Sequence, residues 1–318
     1  MKILDGHSSG LGFGGKGTSL DWLRSEGFPC PDFDLLDAGN WAELVAGETL
    51  SRARTTLSFS EDQLAFSLAC HRLQAAVFAA PLPATVEEWL AGGPIERLGG
   101  AVAVRSSALS EDGASTSSAG QYESVLGVHT EAHLRRAIHQ VLGSYYGGRA
   151  ALYRRTREID DAGHLAMGIV VQAMVDAEVC GIAFSHNPVT GRPGATIEAS
   201  WGLGPPLVSG EVEPDRFEFD GGECRSVSVG RKESELRLDS VAGVLRDTQR
   251  PAAEEPCIPP ATATEIAASV LEMEDRYGCP VDVEWAIPSG DEAEAVYLQI
   301  RPATGTGPSS PVKLLSTY

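Results

Sequence analysis

The chain is short of positive charge and especially short of lysine. Its 318 residues include 25 lysines and arginines against 44 acidic residues, which gives a formal net charge of −19. Nucleic-acid-binding proteins usually carry a basic surface, so this balance argues against DNA or RNA as a partner. The lysines are so few that the position of each is informative: Lys2, Lys16, Lys232 and Lys313.

Paired cysteines and long apolar runs are missing as well. Six cysteines are spread along the chain and no two have Cys-x-x-Cys spacing. This scatter argues against a zinc or disulfide framework and favours reduced thiols. No run approaches the ~18 apolar residues of a membrane span, and the N-terminal sequence MKILDGHSSG does not look like a signal peptide. We therefore expect a cytoplasmic protein with no membrane partner.

A glycine-rich segment near the N-terminus has three interpretations. Gly10 to Gly15 matches GxGxxG, but a dinucleotide site needs a strand directly before it, and only Met1–Leu4 could supply one. Gly10 to Lys16 also matches the phosphate-loop pattern GxxxxGK, but Gly17 follows where a Ser or Thr would hold Mg²⁺. The third interpretation is a flexible glycine turn that presents Lys16 to a phosphate. A plain glycine loop with a solvated lysine remains open.

A second polar segment follows a short apolar strand. The strand, AVAVR at 101–105, ends in Arg105 and leads into a loop of small polar residues at 106–121. A guanidinium group can fork onto phosphate oxygens, and Ser and Gly allow backbone N–H groups to close over a polyphosphate. This spacing indicates a phosphate-binding loop, with an ordinary surface loop as the alternative.

Hydrophobic periodicity predicts a mixed architecture. Helices are expected over 61–80, opened by a Ser60–Gln63 capping box, and over 131–156. Val281–Ile287 and Ala295–Ile300 alternate as two strands of a hairpin. The order of elements indicates an α+β protein with two lobes, 1–165 and 166–318.

Several motifs occur in an order that together identifies a family. They are GGKGTSL at 14–20, AVRSSALSED at 103–112, SSAGQYESVLGV at 117–128, VVQAMVDAEVCGIAFSHNPVTG at 170–191, EASWGLGPPLVSGEVEPDRF at 198–217, DVEWAI at 282–287 and LQIRP at 298–302. This series resembles the ATP-binding domain of phosphoenolpyruvate synthase and pyruvate phosphate dikinase, which rifamycin phosphotransferases share. It spans nearly the whole chain.

The resemblance implies an ATP-grasp fold, with the nucleotide in the cleft between two lobes, and a Mg²⁺-dependent phosphotransferase. It implies that Lys16 and Arg105 contact ATP phosphates and that Arg301 lies at the transferred phosphate. These three are the expected catalytic residues. The remaining implied roles are a phosphate-covering loop at Gly120 and Ser124, an adenine-binding hinge with Gln172, Met174 and Val175, and Mg²⁺ ligands at Glu284 and Gln299.

The chemistry of the last two residues agrees with that assignment. Mg²⁺ prefers oxygen ligands, which a carboxylate and an amide carbonyl provide. Glu284 and Gln299 fall on the two strands of the predicted hairpin, so both side chains can point to one place. A buried hairpin in which Glu284 and Arg301 form ordinary salt bridges is the alternative for this segment alone.

The phosphoryl acceptor is the part that the motifs leave open. The family's swivelling domain carries its phosphorylated histidine in a context such as TSHAA, and no histidine of this chain has that context. Three interpretations follow. The chain is a dikinase-like enzyme that passes phosphate to a small molecule or to a histidine on a separate protein, or it is the ATP-binding domain of a larger synthase or rifamycin phosphotransferase, or it is a non-catalytic nucleotide sensor.

Overall fold

The structure is a computed structural model that describes residues 3–4, 12–109, 121–159, 165–220, 222–239, 244–249, 255–290 and 293–303. The chain divides into two compact units, with residues 1–18 and 32–174 in unit 1 and residues 19–31 and 175–318 in unit 2. This division differs from the one at 165/166 that the sequence suggests. The reason is that the strand Met167–Ala173 hydrogen-bonds to strands of unit 1 on both of its edges.

Unit 1 consists of one mixed sheet and the helices that cover it. Its strands are β1 Ile3–Leu4, β2 Phe33–Leu36, β3 Val102–Ala108, β4 Ser124–Val128 and β5 Met167–Ala173. The spatial order is β1-β2-β5-β3-β4, in which β1 and β2 run parallel and the pairs β2–β5, β5–β3 and β3–β4 are antiparallel. Helix α1, Gly14–Ser25, begins in unit 1. The other helical segments are a 3₁₀ helix at Ala38–Val45, α2 Glu48–Phe59, α3 Gln63–Ala79, α4 Ala84–Ala91, α5 Pro94–Arg97, α6 Glu131–Ser144 and α7 Gly148–Thr156.

The helix predicted over 61–80 is α3, although a different residue begins it. Asp62 accepts hydrogen bonds from the backbone amides of Leu64 and Ala65 at 2.8 and 3.2 Å, so Asp62 is the N-cap. Ser60 ends the preceding helix, where its amide donates to the carbonyl of Thr56. The predicted Ser60–Gln63 capping box is therefore wrong, because an aspartate closer to the helix satisfies the same free donors.

The helix predicted over 131–156 is interrupted. Helix α6 starts as expected, with Thr130 accepting from the amide of His133 at 3.2 Å, but it ends at Ser144. The second helix, α7, starts only at Gly148. Glycines at 143, 147 and 148 weaken helix propensity by roughly 1 kcal/mol each, which explains a break that the apolar periodicity does not reveal.

Unit 2 has a six-stranded antiparallel sheet of order β13-β12-β6-β7-β8-β9. Its strands are β6 Ala177–His186, β7 Pro193–Trp201, β8 Asp215–Asp220, β9 Glu223–Ser228, β12 Val281–Pro288 and β13 Val296–Pro302. A separate ribbon pairs β10 Ser234–Asp239 with β11 Val244–Gln249. The helices that lie wholly in unit 2 are α8 Pro205–Ser209 and α9 Pro260–Tyr277. The predicted hairpin is confirmed as β12 and β13.

Helix α9 covers one face of this sheet, and the fit depends on a glycine. The fully buried ring of Trp285 lies over Gly181, where an added Cβ would stand only 2.1 Å from the ring. The buried residues Val283, Ile197 and Phe217 extend the same apolar face across three strands. The residues that alternate with these along each strand therefore face the opposite side of the sheet.

Lysine 232 is buried in unit 2 rather than exposed. Its ammonium group forms an ion pair with Asp215, and both side chains are fully buried. The same ammonium donates to the carbonyl of Gly230 at 2.9 Å, and the amide of Cys257 donates to Asp215 at 2.7 Å. Because removal of one partner of a buried pair leaves an uncompensated charge, loss of Lys232 alone would destabilise the fold. Across the part of the chain that the structure describes, no helix is long and apolar enough to cross a membrane.

Candidate functional site

Lys16 lies in the first turn of helix α1, so the prediction of a flexible glycine turn is wrong. Gly14 has φ +73°, and a Cβ there would lie 2.0 Å from the carbonyl oxygen of Ser107. The amide of Gly17 donates to the hydroxyl of Ser107 at 3.0 Å. The glycines thus allow the helix to start against strand β3. A helix N-terminus attracts anions through its free amides and its dipole, which suits the expected phosphate contact of Lys16.

Arg105 lies within strand β3 rather than at its end, because the strand continues to Ala108. Its Nη1 donates to the side-chain oxygen of Gln172 at 2.9 Å. Across the sheet Arg105 is paired with Ser124 on β4 and with Val170 on β5. Gln172 is therefore the diagonal neighbour of Arg105 on one face, within reach of a long side chain.

Three of the expected nucleotide-binding residues are thus brought together in unit 1: Arg105, Ser124 and Gln172. Ser124 is the first residue of strand β4 rather than part of a loop, as the resemblance implied, because it pairs with Arg105; it is exposed, whereas Gln172 is buried. The hydrogen bond from Arg105 to Gln172 orients the guanidinium group, although the resemblance implies a role for Gln172 in the adenine hinge. Gly120 lies outside the described residues.

The expected adenine hinge is the connection between β5 and β6. The amide of Ala173 donates to the carbonyl of Asp32 at 2.8 Å, and the amide of Met174 donates to the carbonyl of Ala101 at 2.9 Å. Both Met174 and Val175 are half-buried. Since these two amides are occupied within unit 1, other backbone groups of the segment would have to read an adenine edge.

In unit 2, Glu284 on β12 is directly opposite Gln299 on β13. Residues directly opposite each other in an antiparallel pair point to the same face, with Cβ atoms about 5 Å apart. Gln299 is buried and Glu284 half-buried. One carboxylate and one amide carbonyl can therefore converge on a single cation. Among the described residues, no group of three or more His, Cys, Asp or Glu side chains lies together as a metal site.

Arg301 is held by an aspartate that the sequence left unassigned. Its Nε lies 2.6 and 2.8 Å from the two carboxylate oxygens of Asp282. The side chain of Asp282 is 11% exposed and that of Arg301 is 32% exposed. The register that pairs Glu284 with Gln299 also pairs Asp282 with Arg301. An aspartate on one predicted strand and an arginine directly after the other were the available signal, although the bulge between Glu284 and Trp285 shifts the register by one residue.

These side chains belong to a larger polar face of the unit 2 sheet. We use this name for Asp282, Glu284, Gln299, Arg301, Glu198 and Arg216. Glu284 is paired with Ile182, Ile182 with Glu198, and Glu198 with Arg216, so one row crosses four strands. Arg216 donates through Nε and Nη2 to Glu198 at 3.2 and 2.5 Å.

A buried thiol reports on the charge of this face. Burial raises the pKa of Cys180 to about 12, and the negative charge of Glu284 adds to the rise. Cys180 is paired with Ala286, two residues from Glu284, and packs beside Leu207 and Val212. The carboxylate of Glu284 therefore lies close enough to Cys180 to disfavour the thiolate form of this cysteine.

Known proteins match this chain over a range that includes every residue of the candidate site. The family model described as "Pyruvate phosphate dikinase, AMP/ATP-binding domain" matches residues 12–318. A rifampicin phosphotransferase from Streptomyces sp is 33% identical over 316 residues, which cover 96% of this chain and 36% of that protein. A probable phosphoenolpyruvate synthase from Methanocaldococcus jannaschii is 30% identical over 313 residues, which cover 92% of this chain and 25% of that protein.

The curated relatives are much longer than this chain. The matched part of the chain covers between 22% and 36% of the length of these relatives. Among solved structures, a D-alanine-D-alanine ligase from Coxiella burnetii has 11% sequence identity and a TM-score of 0.33. That match covers 90% of this chain and 47% of the ligase chain.

Proposed function

Since the chain belongs to the family of pyruvate phosphate dikinase AMP/ATP-binding domains, we propose that it binds ATP with Mg²⁺ and catalyses phosphoryl transfer. Family membership confirms the ATP-grasp fold that the resemblance implied, and the helices and sheets of both units confirm the α+β class. The observation that carries the proposal is the hairpin β12–β13, which sets Glu284 opposite Gln299 and Asp282 opposite Arg301.

Unit 1 is assigned the contacts to the nucleotide. Lys16 at the start of α1 and Arg105 on β3 would neutralise phosphate oxygens, and Ser124 would contribute a hydroxyl from the strand opposite Arg105. Gln172 keeps the guanidinium group of Arg105 in one orientation. Met174 and Val175 would border the base.

Unit 2 is assigned the metal ligands and the charge at the transferred group. Glu284 and Gln299 would hold Mg²⁺, and their oxygen donors fit the preference of this ion. When bound, the ion neutralises phosphate charge and orients the oxygens for in-line transfer. Asp282 fixes the guanidinium of Arg301, so the arginine can stabilise the transferred phosphoryl group without reorganising.

The reaction that we favour is dikinase-like, in which ATP, an acceptor and water give AMP, phosphate and the phosphorylated acceptor. The acceptor is a small molecule or a histidine on a separate partner protein. Because the relatives are longer, the second candidate is that these residues act as the ATP-binding domain of a phosphoenolpyruvate synthase or rifamycin phosphotransferase. The third candidate, a non-catalytic nucleotide sensor, is less favoured because the expected charged side chains are present.

The nucleotide product tests the proposal. The protein is incubated with ATP and Mg²⁺, with and without candidate acceptors, and the nucleotides are separated by ion-exchange chromatography. AMP is the expected product, whereas ADP alone would exclude the dikinase reaction and leave a kinase. Binding of ATP without any product in the presence of acceptors would favour the sensor.

A pair of arginine variants tests the assignment of the site. Arg301→Ala is expected to abolish transfer while circular dichroism and the thermal midpoint stay near those of the wild type. The matched control is Arg231→Ala, because Arg231 is 68% exposed and, among the residues that the structure describes, its ion-pair partner is the exposed Glu233. Full activity of Arg301→Ala would exclude our site.

A further inference from the structure

A buried arginine contacts the segment that leads into strand β4 of unit 1. Arg154 on helix α7 is fully buried. Its guanidinium carbon lies 3.7 Å from the centre of the Tyr145 ring, and its Nη1 donates to the phenol oxygen of Tyr122 at 3.4 Å. Burial of a charged group is unfavourable unless other groups compensate the lost water. An arginine in this place therefore calls for an explanation in the fold or in the function.

Tyr122 connects Arg154 to the candidate site. The rings of Tyr122 and Tyr145 are nearly parallel, with an interplanar angle of 8° and a centroid distance of 5.9 Å. The guanidinium carbon of Arg154 is also 6.0 Å from the Tyr122 ring, so the three buried side chains form one cluster. Attraction between a cation and an aromatic ring is strongest where water is excluded. Because Tyr122 precedes Ser124 by only two residues, this cluster holds the chain just ahead of β4.

The next residue is fixed through its backbone. The amide of Glu123 donates to Oγ of Ser144 at 3.1 Å, and the same hydroxyl donates to the carbonyl of Val141 at 2.6 Å. Ser144 is buried and is the last residue of helix α6. The side chain of Glu123, by contrast, accepts from Gln140 in an exposed contact, where water competes. The buried contacts of Tyr122 and of the Glu123 amide therefore determine where β4 begins.

Strand β4 needs such support because its own pairing is limited. It has five residues, it is the last strand in the order of the unit 1 sheet, and its pairing with β3 is irregular between Val102 and Val104. Within that pairing Ser124 is directly opposite Arg105. Side chains of directly opposite residues lie about 5 Å apart, so a shift at the start of β4 moves the hydroxyl of Ser124 relative to the guanidinium group of Arg105.

We propose that Arg154 is a positioning residue for nucleotide binding. Through Tyr122 it fixes the start of β4, and thereby the place of Ser124 opposite Arg105, where the phosphates of a nucleotide would bind. The assignment of Ser124 and Arg105 to the phosphates rests on the proposed function, whereas the cluster itself rests on its contacts. A neutral side chain of similar length could fill the same space, but it would lack the donor to Tyr122 and the attraction to both rings.

Calorimetric titration with ATP and with AMP, each in the presence of Mg²⁺, tests this role. Arg154→Met keeps an apolar stem and removes the charge and the donor, and Tyr122→Leu breaks the cluster from the other side. AMP lacks two of the three phosphates of ATP, so a displaced phosphate-binding strand should affect its binding less. For both variants we expect at least a tenfold loss of affinity for ATP and less than a threefold loss for AMP. The control Gln140→Leu, which breaks the exposed contact to the same segment, should bind both nucleotides as the wild type does.

A double variant separates positioning from an independent effect. If Arg154 acts through Tyr122, then Arg154→Met/Tyr122→Leu should bind ATP no more weakly than Tyr122→Leu. Unchanged affinity for ATP in the single variants, an equal loss for ATP and AMP, or additive losses in the double variant would each overturn the inference. If the thermal midpoint shows that Arg154→Met is unfolded, Tyr122→Leu decides by the same comparison of ATP with AMP. A wild type that binds neither nucleotide would instead refute the proposed function, and with it the role of Arg154.

Discussion

The contact between Asp282 and Arg301 gives the most informative prediction about catalysis. Replacing Asp282 by Ala removes a charged acceptor that lies 2.6 Å from Nε of Arg301. A hydrogen bond between charged groups contributes about 1.5–3 kcal/mol, and we take about 1.5–2 kcal/mol because Arg301 is 32% exposed and water replaces part of the contact. Since 1.36 kcal/mol is tenfold in rate, kcat should fall roughly 10- to 30-fold.

A double-mutant cycle distinguishes positioning from a direct role. If Asp282 acts only through Arg301, then Asp282→Ala/Arg301→Ala should be no slower than Arg301→Ala alone. The assay is single-turnover formation of AMP from ATP, and Asp282→Asn should retain more activity than Asp282→Ala because one acceptor oxygen remains. Glu233→Ala, which breaks an exposed pair, is the control. A further loss of 10-fold or more in the double variant would refute the positioning argument and indicate direct contact of Asp282 with metal or substrate.

Gly14→Ala should lower the free energy of unfolding in urea by roughly 1–3 kcal/mol, because φ is +73° and the new Cβ meets the carbonyl of Ser107. The control Gly148→Ala should be neutral or slightly stabilising, since nothing lies within 4 Å of its new Cβ. Equal effects of the two substitutions would refute the steric argument. Gln172→Leu should weaken ATP binding about tenfold in calorimetry, because it releases the guanidinium group of Arg105. The control Gln140→Leu, which breaks a contact with Glu123, should leave the affinity for ATP unchanged. Unchanged ATP affinity of Gln172→Leu would remove Gln172 from the site. Because its pKa is about 12, Cys180 should resist a thiol reagent at pH 8 in the folded protein, whereas the half-buried Cys224 should react. Mass spectrometry of the labelled protein measures both reactions. Fast labelling of Cys180 would contradict its burial. Burial lowers the pKa of His186 and the charge of Glu274 opposes this shift, so the neutral ring is compatible with the fold above pH ~6.5 and stability is lost on acidification. Between pH 7 and 5, His186→Gln should therefore lose less free energy of unfolding than the wild type. Parallel plots of the free energy of unfolding against pH for the two proteins would exclude this linkage.

The parts of the fold that the sequence predicts are those set by local patterns. The alternation in 281–287 and 295–300 identifies the β12–β13 hairpin, and the apolar spacing in α3 places Cys70, Leu73 and Val77 in the core. The errors arise where distant residues decide. Gly14 and Gly17 form the start of a helix because they pack on Ser107, 90 residues further along the chain from Gly17. No local signal in the glycine segment contains that information.

The site shows the same limit. The pairs Glu284–Gln299 and Asp282–Arg301 are readable from sequence only if the bulge between Glu284 and Trp285 is known as well as the turn, because the bulge shifts the register by one residue. The contact between Arg105 and Gln172 is not readable in this way, because it depends on which strands are neighbours in the unit 1 sheet. Lys232 stands out by the scarcity of lysine, yet only the fold shows that its partner is Asp215 and that the pair is buried.

The inclusion of residues 19–31 in unit 2 has a consequence for biosynthesis. In this segment Trp22 packs edge-on against Tyr277 at 4.8 Å, and Phe28 packs against Tyr297 at 6.2 Å. A ribosome makes this short stretch first and its aromatic partners some 250 residues later, as the sequence separation of Arg276 and Glu26 illustrates. Such long-range closure is slow, and unpaired apolar surface is exposed until it occurs. Trp22 should therefore be a late reporter of folding during translation, because its environment is complete only after Tyr277 has emerged.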